Sequence, residues 1–500
     1  MLTIQTGGTL ANSLGTVGNL PGGLGTVTVT DAGSNWSNAG SVVVGGQGTG
    51  TLTIQNGGTV NSGGGSVGLS VGSTGTVTVT GPGSSWINGL SGGLNIGSFG
   101  TGTLTILNGG NVINITNFAA NIGNAAGSQG TVTVTGPGST WSNSSGVNIG
   151  NLGTGTLTIA DSGIVAGPVT IATNAGSIGT LNIGAGAGDP AAAPGTLTAP
   201  SVAFGAGTGT LNFNHTSTNY TFAPAISGNG SVNVFAGITI LTANNTYTGP
   251  TTINGGGLVV NGSIAPSSMT TVNSGAALLG SGTVGSTVVN TGGFLVPGPV
   301  GTPGTMTVTG SLAFQSGALY VVQVNPTTAS ITNVSGPASL AGTVGAIFAP
   351  GTYGLVRSYT ILTSGARVGT FDALTTSGLP ADFQAFLSHP GNTAVINLFA
   401  QLVPEPTPPT PPGGAIPPVP GLPPLPPQSS APTPPFTVNE INVGHAIDNF
   451  FNNGGALPPA FLSLFGLTGS NLTNALDQLS GEVATGAQKV GFQLTDQFLN

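Results

Sequence analysis

Charged side chains are nearly absent from this sequence. Only three of its 500 residues are Lys or Arg, 11 are Asp or Glu, and the net charge is −8. So few cations exclude nucleic-acid binding, because that affinity comes from many contacts between basic side chains and phosphates. The chain also has no cysteine, which excludes a disulfide framework and a cysteine-ligated metal site.

Long apolar runs are missing as well. No stretch reaches the roughly 18 apolar residues of a membrane-spanning helix, although 38% of the residues are hydrophobic. Residues 1–8 show neither the basic nor the apolar part of a signal peptide. They match the middle of a repeat instead, so we expect the chain to be a fragment at its N-terminus.

Glycine, in contrast, is abundant at 90 residues, and much of it belongs to a repeat. A first motif, Gly-Thr-Val-Thr-Val-Thr, occupies 25–30, 75–80 and 130–135. A second, Gly-Thr-Gly-Thr-Leu-Thr-Ile, alternates with it and occupies 48–54, 100–106 and 153–159. A tryptophan follows each copy of the first motif: Trp36, Trp86 and Trp141. Successive motifs are about 25 residues apart.

Each motif alternates apolar and polar residues with period two, which predicts a half-buried strand. Gly-Pro-Gly and Asn-Gly-Gly segments, which favour turns, flank the motifs. Two or three short strands per 25 residues are typical of one coil of a β-solenoid. We therefore predict a mainly β chain, folded as a right-handed parallel β-helix of roughly 16 coils over residues 1–400.

Two alternatives stay open at this point. A β-propeller blade needs about 40 to 50 residues, which is close to the length of the double repeat, but the near-identical halves favour a solenoid. The tryptophans either stack along one face as a structural ladder, which we favour, or form a platform for a ligand.

Residues 227–264 carry a more specific signal. From Asn244 they read Asn-Asn-Thr-Tyr-Thr-Gly-Pro-Thr-Thr-Ile-Asn-Gly-Gly-Gly. This stretch resembles the autotransporter-associated β-strand repeat of bacterial autotransporter passenger domains, with its Asn-x-Tyr-x-Gly core at 245–249. Segments 280–285 and 297–304 resemble the pertactin-like coils that follow it. The resemblance implies a repeat passenger over 1–226 and a C-terminal β-helix over 227–402 that acts as an autochaperone.

The composition changes sharply at Pro404. Sixteen of the 36 prolines lie between Pro404 and Pro435, and proline donates no backbone hydrogen bond to a sheet. We therefore predict an extended proline-rich linker over 403–436. Residues 437–500 turn helical, and two apolar faces carry this prediction. The first comprises Val443, Ala446, Ile447, Phe450 and Phe451; the second repeats every three or four residues from Leu472 to Phe498.

Residues 448–499 resemble the segment that leads into an autotransporter β-barrel. The residues that carry the resemblance lie at 449–459 and 475–482. It implies that a helix here passes through the pore of an outer-membrane barrel, the partner that would translocate the chain. The sequence stops at Asn500, before any barrel strand, so autonomous secretion of this chain is not expected.

We predict no catalytic, cofactor-binding or metal-binding site. Segments 64–68 and 89–93 match the Gly-x-Ser-x-Gly nucleophile elbow, and 280–285 matches Gly-x-Gly-x-x-Gly, but chance matches are expected in a chain this rich in Gly and no helix follows them. The histidines His215, His389 and His445 lie in different regions.

The acidic residues are interpreted as solvated. Asp31, Asp161 and Asp189 are the carboxylates of the repeat region, and we assign them to turns. Asp161 and Asp189 are about one coil apart, which leaves a glycosidase-like pair open. His445 and Asp448 are three residues apart and are assigned to an exposed helix face, as are Asp477 and Glu482.

These observations favour a non-enzymatic autotransporter passenger displayed at the bacterial cell surface or secreted. We expect a β-helical stalk that serves adhesion or cell–cell contact, with a host or neighbouring cell as partner and a tendency to self-associate. The alternatives are a polysaccharide-acting enzyme, a lyase or hydrolase built on a β-helix, and a truncated fragment without function.

Overall fold

A computed structural model describes residues 1–89, 92–115, 117–380, 382–403, 415–424 and 436–481. The chain is mainly β, with 51% of residues in strands and 7% in helices, and forms a parallel β-solenoid of about 15 turns. The predicted fold class is therefore confirmed. The chain divides into two compact units. One comprises 1–296, 306–318 and 419–421, and the other comprises 297–305, 319–418 and 422–500.

In the first unit, each coil begins with a strand of one sheet, here named the threonine sheet. Its strands pair in parallel, each with the equivalent strand of the next coil. They are Leu2–Ile4, Leu24–Thr30, Thr49–Gln55, Thr74–Thr80, Thr101–Leu107, Gln129–Thr135, Thr154–Ile159, Ile178–Gly184, Thr208–Asn214, Ser231–Ala236, Thr251–Ile253, Thr270–Val272, Thr287–Val289 and Leu312–Phe314. Three further short strands are Ser263–Ile264, Thr283–Val284 and Thr305–Val308.

The chain then turns and forms a second parallel sheet, here named the tryptophan sheet. Its members are Thr9–Asn12, Gly15–Val17, Asn35–Val44, Thr59–Val67, Ser85–Asn88, Leu94–Ile96, Asn111–Asn114, Ala120–Ile122, Thr140–Asn143, Val147–Ile149, Ile164–Ala166, Val169–Ile171, Thr196–Thr198, Ser201–Phe204 and Ala225–Ser227. A third sheet of this unit contains Tyr220–Phe222, Ile238–Leu241, Gly256–Val260, Ala276–Gly280 and Phe294–Pro297. Inward side chains of these sheets form the core.

Side-chain volume explains why two motifs alternate. A coil that carries the first motif places two valines in the threonine sheet and a tryptophan in the tryptophan sheet, as in Val77, Val79 and Trp86. The next coil places Leu104 and Ile106 opposite the smaller Val112. Because protein interiors are close-packed, each coil combines small residues on one side with a large residue on the other.

The coils become shorter where the Asn-x-Tyr-x-Gly segment, 245–249, begins. Thr26 pairs with Thr51, a step of 25 residues, whereas Thr251 pairs with Thr270 and Thr270 with Thr287, steps of 19 and 17. Within the shorter coils, the Asn245 side chain is buried. It accepts a hydrogen bond from the Ile226 N–H (2.9 Å) and donates to the carbonyl oxygens of Ala243 (3.0 Å) and Ser263 (3.1 Å). The motif asparagine therefore joins neighbouring backbone segments.

The second unit contains two groups of strands. Three strands pair in parallel: Leu319–Val324, Thr343–Phe348 and Ala373–Ser377. The others are Ile331–Leu340, Val356–Gly369, Phe383–Ser388 and Thr393–Ala400. The last strand pairs antiparallel with both Val356–Gly369 and Phe383–Ser388. Thus the direction of pairing changes at the end of the β region.

Part of the predicted linker, 404–414 and 425–435, lies outside the described residues. Between these segments, Ile416 and Val419 are buried, and Ile416 lies against Gly345. The middle of the proline-rich segment is therefore packed against sheet residues, which the prediction of an extended spacer did not include.

Helices follow at Val438–Asn452, Pro459–Leu462 and Ser470–Ser480, with a 3-10 turn at Ser463–Gly466. The first helix begins with a capping box, in which the Glu440 carboxylate accepts from the Thr437 N–H and the Thr437 hydroxyl accepts from the Glu440 N–H. Among the described helices, none combines the length and apolar character needed to cross a membrane. The remainder of the last predicted helix, 482–500, lies outside the described residues.

Candidate functional site

The most regular surface of the first unit is the outer side of the threonine sheet. The strands are in register from Leu24–Thr30 to Thr208–Asn214, so equivalent residues form straight columns. The central column consists of Thr26, Thr51, Thr76, Thr103, Thr131, Thr156, Thr180 and Thr210. The column beside it consists of Thr3, Thr28, Thr53, Thr78, Thr105, Thr133 and Thr158. We name this surface the threonine face.

A third column borders the threonine face and contains two exposed apolar residues. Its members are Leu24, Thr49, Thr74, Thr101, Gln129, Thr154, Ile178 and Thr208. Leu24 is 86% exposed and Ile178 is 48% exposed. The second column closes at the strand Ile178–Gly184, because Asn182 and Asn212 replace threonine there and are buried. There the Asn214 amide holds a loop by donating to the carbonyl oxygens of Gly186 (2.8 Å) and Asp189 (2.9 Å).

Sequence reasoning used these threonines only to predict strands and did not identify a face. The signal was present, because every motif places Thr at alternate positions. What the sequence did not give is the register, which turns separate Thr-x-Thr pairs into columns.

The tryptophans lie inside the molecule. Trp36 is 3% exposed, and Trp86 and Trp141 are fully buried. In the ladder they alternate with valine, so that Val60 lies between Trp36 and Trp86 and Val112 between Trp86 and Trp141. Burial excludes a ligand platform and supports the structural role favoured from sequence, but the predicted stacking of the tryptophans is wrong, because a valine separates each pair.

The three acidic residues of the repeats occupy turns, as predicted. Asp31 and Asp161 both have positive φ, 74° and 46°. Their carboxylates accept hydrogen bonds from the Thr6 N–H (3.1 Å) and the Thr135 hydroxyl (2.9 Å), respectively. Asp161 and Asp189 are both exposed. The carboxylate of Asp161 thus contacts Thr135 of the preceding coil. Among the described contacts, none joins Asp161 to Asp189.

His215 is the most buried histidine described. Its Nε2 lies 2.9 Å from the Thr239 hydroxyl, and its ring packs on Tyr220 at 5.0 Å between centroids. Burial lowers the pKa of His215 below its ordinary value. Tyr220 donates to the Gly195 carbonyl oxygen (3.0 Å) and borders a cavity of about 400 Å³ with Thr196 to Pro200. These contacts are those of a packed aromatic cluster.

The prediction that His445 and Asp448 share an exposed helix face is wrong for Asp448. Asp448 is buried, and both of its carboxylate oxygens lie 3.0 Å from the Leu402 nitrogen. The predicted apolar face of this helix is also displaced, since Gly444, Ile447 and Asp448 are buried whereas Phe450 is 54% exposed. The reason is Gly444, whose lack of a side chain lets Val403 approach the helix.

The motifs set aside as chance matches lie in strands or outside the described residues. Ser66 of segment 64–68 is inside the strand Thr59–Val67, and Leu90 and Ser91 of segment 89–93 are not described. Segment 280–285 is followed by the strand Thr287–Val289. Across the described ranges, no group of three or more His, Cys, Asp or Glu residues could hold a metal ion.

The fold and the threonine face together define a β-solenoid stalk that presents an extended surface. No family model matches the chain. Over 100 residues, or 20% of this chain, it is 45% identical to the adhesin BmaC autotransporter of Brucella suis biovar 1 (strain 1330), of which this match covers 3%. Over 122 residues, or 22% of this chain, it is 40% identical to the uncharacterized lipoprotein YdeK of Escherichia coli (strain K12), covering 9% of that protein.

The chain therefore spans less than a tenth of these relatives. Homology to an autotransporter adhesin, together with the β-solenoid, fits an autotransporter passenger domain. The two relatives also point to a protein associated with the cell surface or the outer membrane.

Proposed function

We propose that this chain is a surface-displayed autotransporter passenger that serves adhesion or cell–cell contact without catalysis. The observation that carries the proposal is the 45% identity to an autotransporter adhesin in a chain folded as a parallel solenoid. The absence of charge from the threonine face supports it, because a neutral surface can approach other surfaces without repulsion.

Cell-surface display is tested by deleting the gene from the encoding bacterium and restoring it. Antibody labelling of intact cells should detect the chain, and attachment to host-cell monolayers or aggregation between bacteria should fall upon deletion and return upon restoration. A chain that antibody reaches only after the cells are broken open would contradict the proposal, as would unchanged attachment and aggregation.

An enzymatic role is tested in parallel with a panel of polysaccharides. We expect no turnover by the purified chain. If turnover occurs and Asp161→Asn abolishes it while Asp31→Asn does not, the protein is a polysaccharide-acting enzyme and the proposal fails.

Residues 227–402 are further proposed to fold first outside the cell and to template the other coils. Dense packing supports this role. The Tyr320 side chain is fully buried, its hydroxyl donates to the Ile361 carbonyl oxygen and lies 3.0 Å from the Thr332 hydroxyl, and its ring stacks on Phe371. Limited proteolysis in increasing urea should digest 227–402 last. If that segment is digested first, the autochaperone assignment is wrong.

A further inference from the structure

The open part of the threonine face is large enough for a specific protein interface. It extends over seven strands, from Leu24–Thr30 to Ile178–Gly184, and over three columns, of which the second ends one strand earlier, at Thr158. With strands about 4.8 Å apart and alternate residues about 6.7 Å apart, the face measures roughly 30 by 20 Å, or about 600 Å². Two such faces in contact would bury about 1,200 Å², the lower end of the range for specific interfaces.

The chemistry of the face is self-complementary. Each threonine hydroxyl both donates and accepts hydrogen bonds, so a threonine surface can satisfy an identical one. Threonine is also β-branched and stiff at χ1, which reduces the conformational entropy lost on binding. The charged residues of 1–226 are Asp31, Asp161 and Asp189, and none of them belongs to the three columns.

The two exposed apolar residues of the bordering column fit a symmetric pair. Consider a twofold axis that lies between the two faces, parallel to the strands and directly above the middle strand, Thr101–Leu107. It reverses the order of the coils and keeps the order of the columns, so Leu24 of one copy lies opposite Ile178 of the other. Both are substantially exposed, and their contact would remove apolar surface from water at each end.

We infer that the threonine face binds the threonine face of a second copy of this chain, with the coils of the two copies in opposite order. The inference rests on the proposed surface display and gives it a partner, since opposite coil order suits stalks that project from facing cells. A single contact of this size is weak, but many copies on each cell add through multivalency.

Thr103 lies on the proposed axis and faces itself, which allows a sharp test on the 500-residue chain. Sedimentation velocity should show reversible dimers of the unmodified chain. Thr103→Lys should weaken dimerisation by about tenfold or more, because like charges opposed in an interface are strongly unfavourable. Thr103→Glu alone should have the same effect, and mixing the Lys and Glu variants should restore dimers. Thr170→Lys is the matched control, since Thr170 is a half-buried threonine of the tryptophan sheet.

Three results would overturn this inference. They are a chain that stays monomeric at its highest soluble concentration, dimers that Thr103→Lys leaves unchanged, and charge variants that fail to pair when mixed. A monomer retained on an immobilised polysaccharide would assign the face to glycans and would also overturn it. The cell-attachment assay distinguishes failure of this inference from failure of the proposed function. If cells attach although the chain is monomeric, the adhesive function stands and the pairing is wrong. If the chain forms dimers but is not exposed at the cell surface, the pairing stands and the proposed function is wrong.

Discussion

The carboxylate of Asp448 accepts the backbone N–H of Leu402, with both oxygens 3.0 Å from the nitrogen. Leu402 follows the last strand, Thr393–Ala400, and Asp448 lies in the helix Val438–Asn452. Around this bond, Leu402 and Val403 share an apolar core with residues of the helices: Ile447, Leu464, Leu472 and Leu476. The hydrogen bond thus joins the end of the β region to the helical segment across the proline-rich stretch.

Replacing Asp448 with alanine should loosen this junction. The Leu402 N–H would remain buried without the carboxylate, which costs about 1 to 3 kcal/mol. Asp448→Ala should therefore make the helical segment more sensitive to protease and lower its denaturation midpoint. Asn442→Ala, at an exposed position of the same helix, is the control and should change little. Equal sensitivity of the two variants would show that the bond is not important for docking.

The buried tryptophans should respond unequally to replacement by phenylalanine. The Trp86 indole N–H donates to the Ser62 hydroxyl (3.0 Å), whereas that of Trp141 has no partner among the described residues. Trp86→Phe loses a buried hydrogen bond, worth about 1 kcal/mol, while Trp141→Phe removes an unsatisfied donor. Denaturant midpoints should therefore fall more for Trp86→Phe. The reverse order would mean that packing of the ring dominates both sites.

Gly150 and Ala172 occupy equivalent positions in successive coils, and replacing each by the other residue type tests the cost of their left-handed backbone conformation. Gly150 has φ 73°, and Ala172 occupies the equivalent position one coil later with φ 55°. A left-handed conformation costs a non-glycine residue about 1 to 2 kcal/mol. Ala172→Gly should therefore raise the denaturant midpoint. Gly150→Ala should lower it more strongly, because the new Cβ would also overlap the Ile178 carbonyl oxygen. A stabilising Gly150→Ala would contradict this assignment.

Replacing Asn245 with alanine should destabilise the chain more than replacing an exposed asparagine. Asn245→Ala removes three hydrogen bonds from a side chain that is 1% exposed, and leaving buried partners unpaired costs about 1 to 3 kcal/mol each. Asn254→Ala is the control, because Asn254 is an exposed residue that accepts one hydrogen bond from the Asn273 amide. Proteolysis near residues 226–263 should accelerate only for Asn245→Ala. Similar behaviour of both variants would refute a special role for the motif.

Acid should weaken the coils around His215. Because burial lowers its pKa in the folded chain below 6.5, the unfolded chain binds the proton more readily. The contribution of neutral His215 to stability is therefore fully present above pH 6.5 and is lost as the pH falls below that value. Denaturant midpoints measured between about pH 5 and 8 should show this loss, and His215→Gln should reduce it. The pKa of His389 is also lowered, so His389→Gln serves as a separate comparison. An unchanged pH profile for His215→Gln would exclude His215 as the source.

The sequence was sufficient for the period and the strands, because alternation and turn residues are local signals. It also located the motif at 245–249. It did not give the threonine columns or the Trp–Val alternation, which require the register between strands. The inward direction of Asp448 was missed for a related reason: its partner, Leu402, is distant in sequence, and helical periodicity alone places a carboxylate on the solvent side.

The alternation of tryptophan and valine also limits how a gene for such a chain can change in length. Removing one coil would bring Trp86 directly against a neighbouring tryptophan, or one valine against another, so that one layer is overfilled and the next is underfilled. Removing two coils preserves the order of the layers. Recombination between repeats should therefore leave viable chains mainly in steps of a coil pair, the distance that separates Trp36 from Trp86.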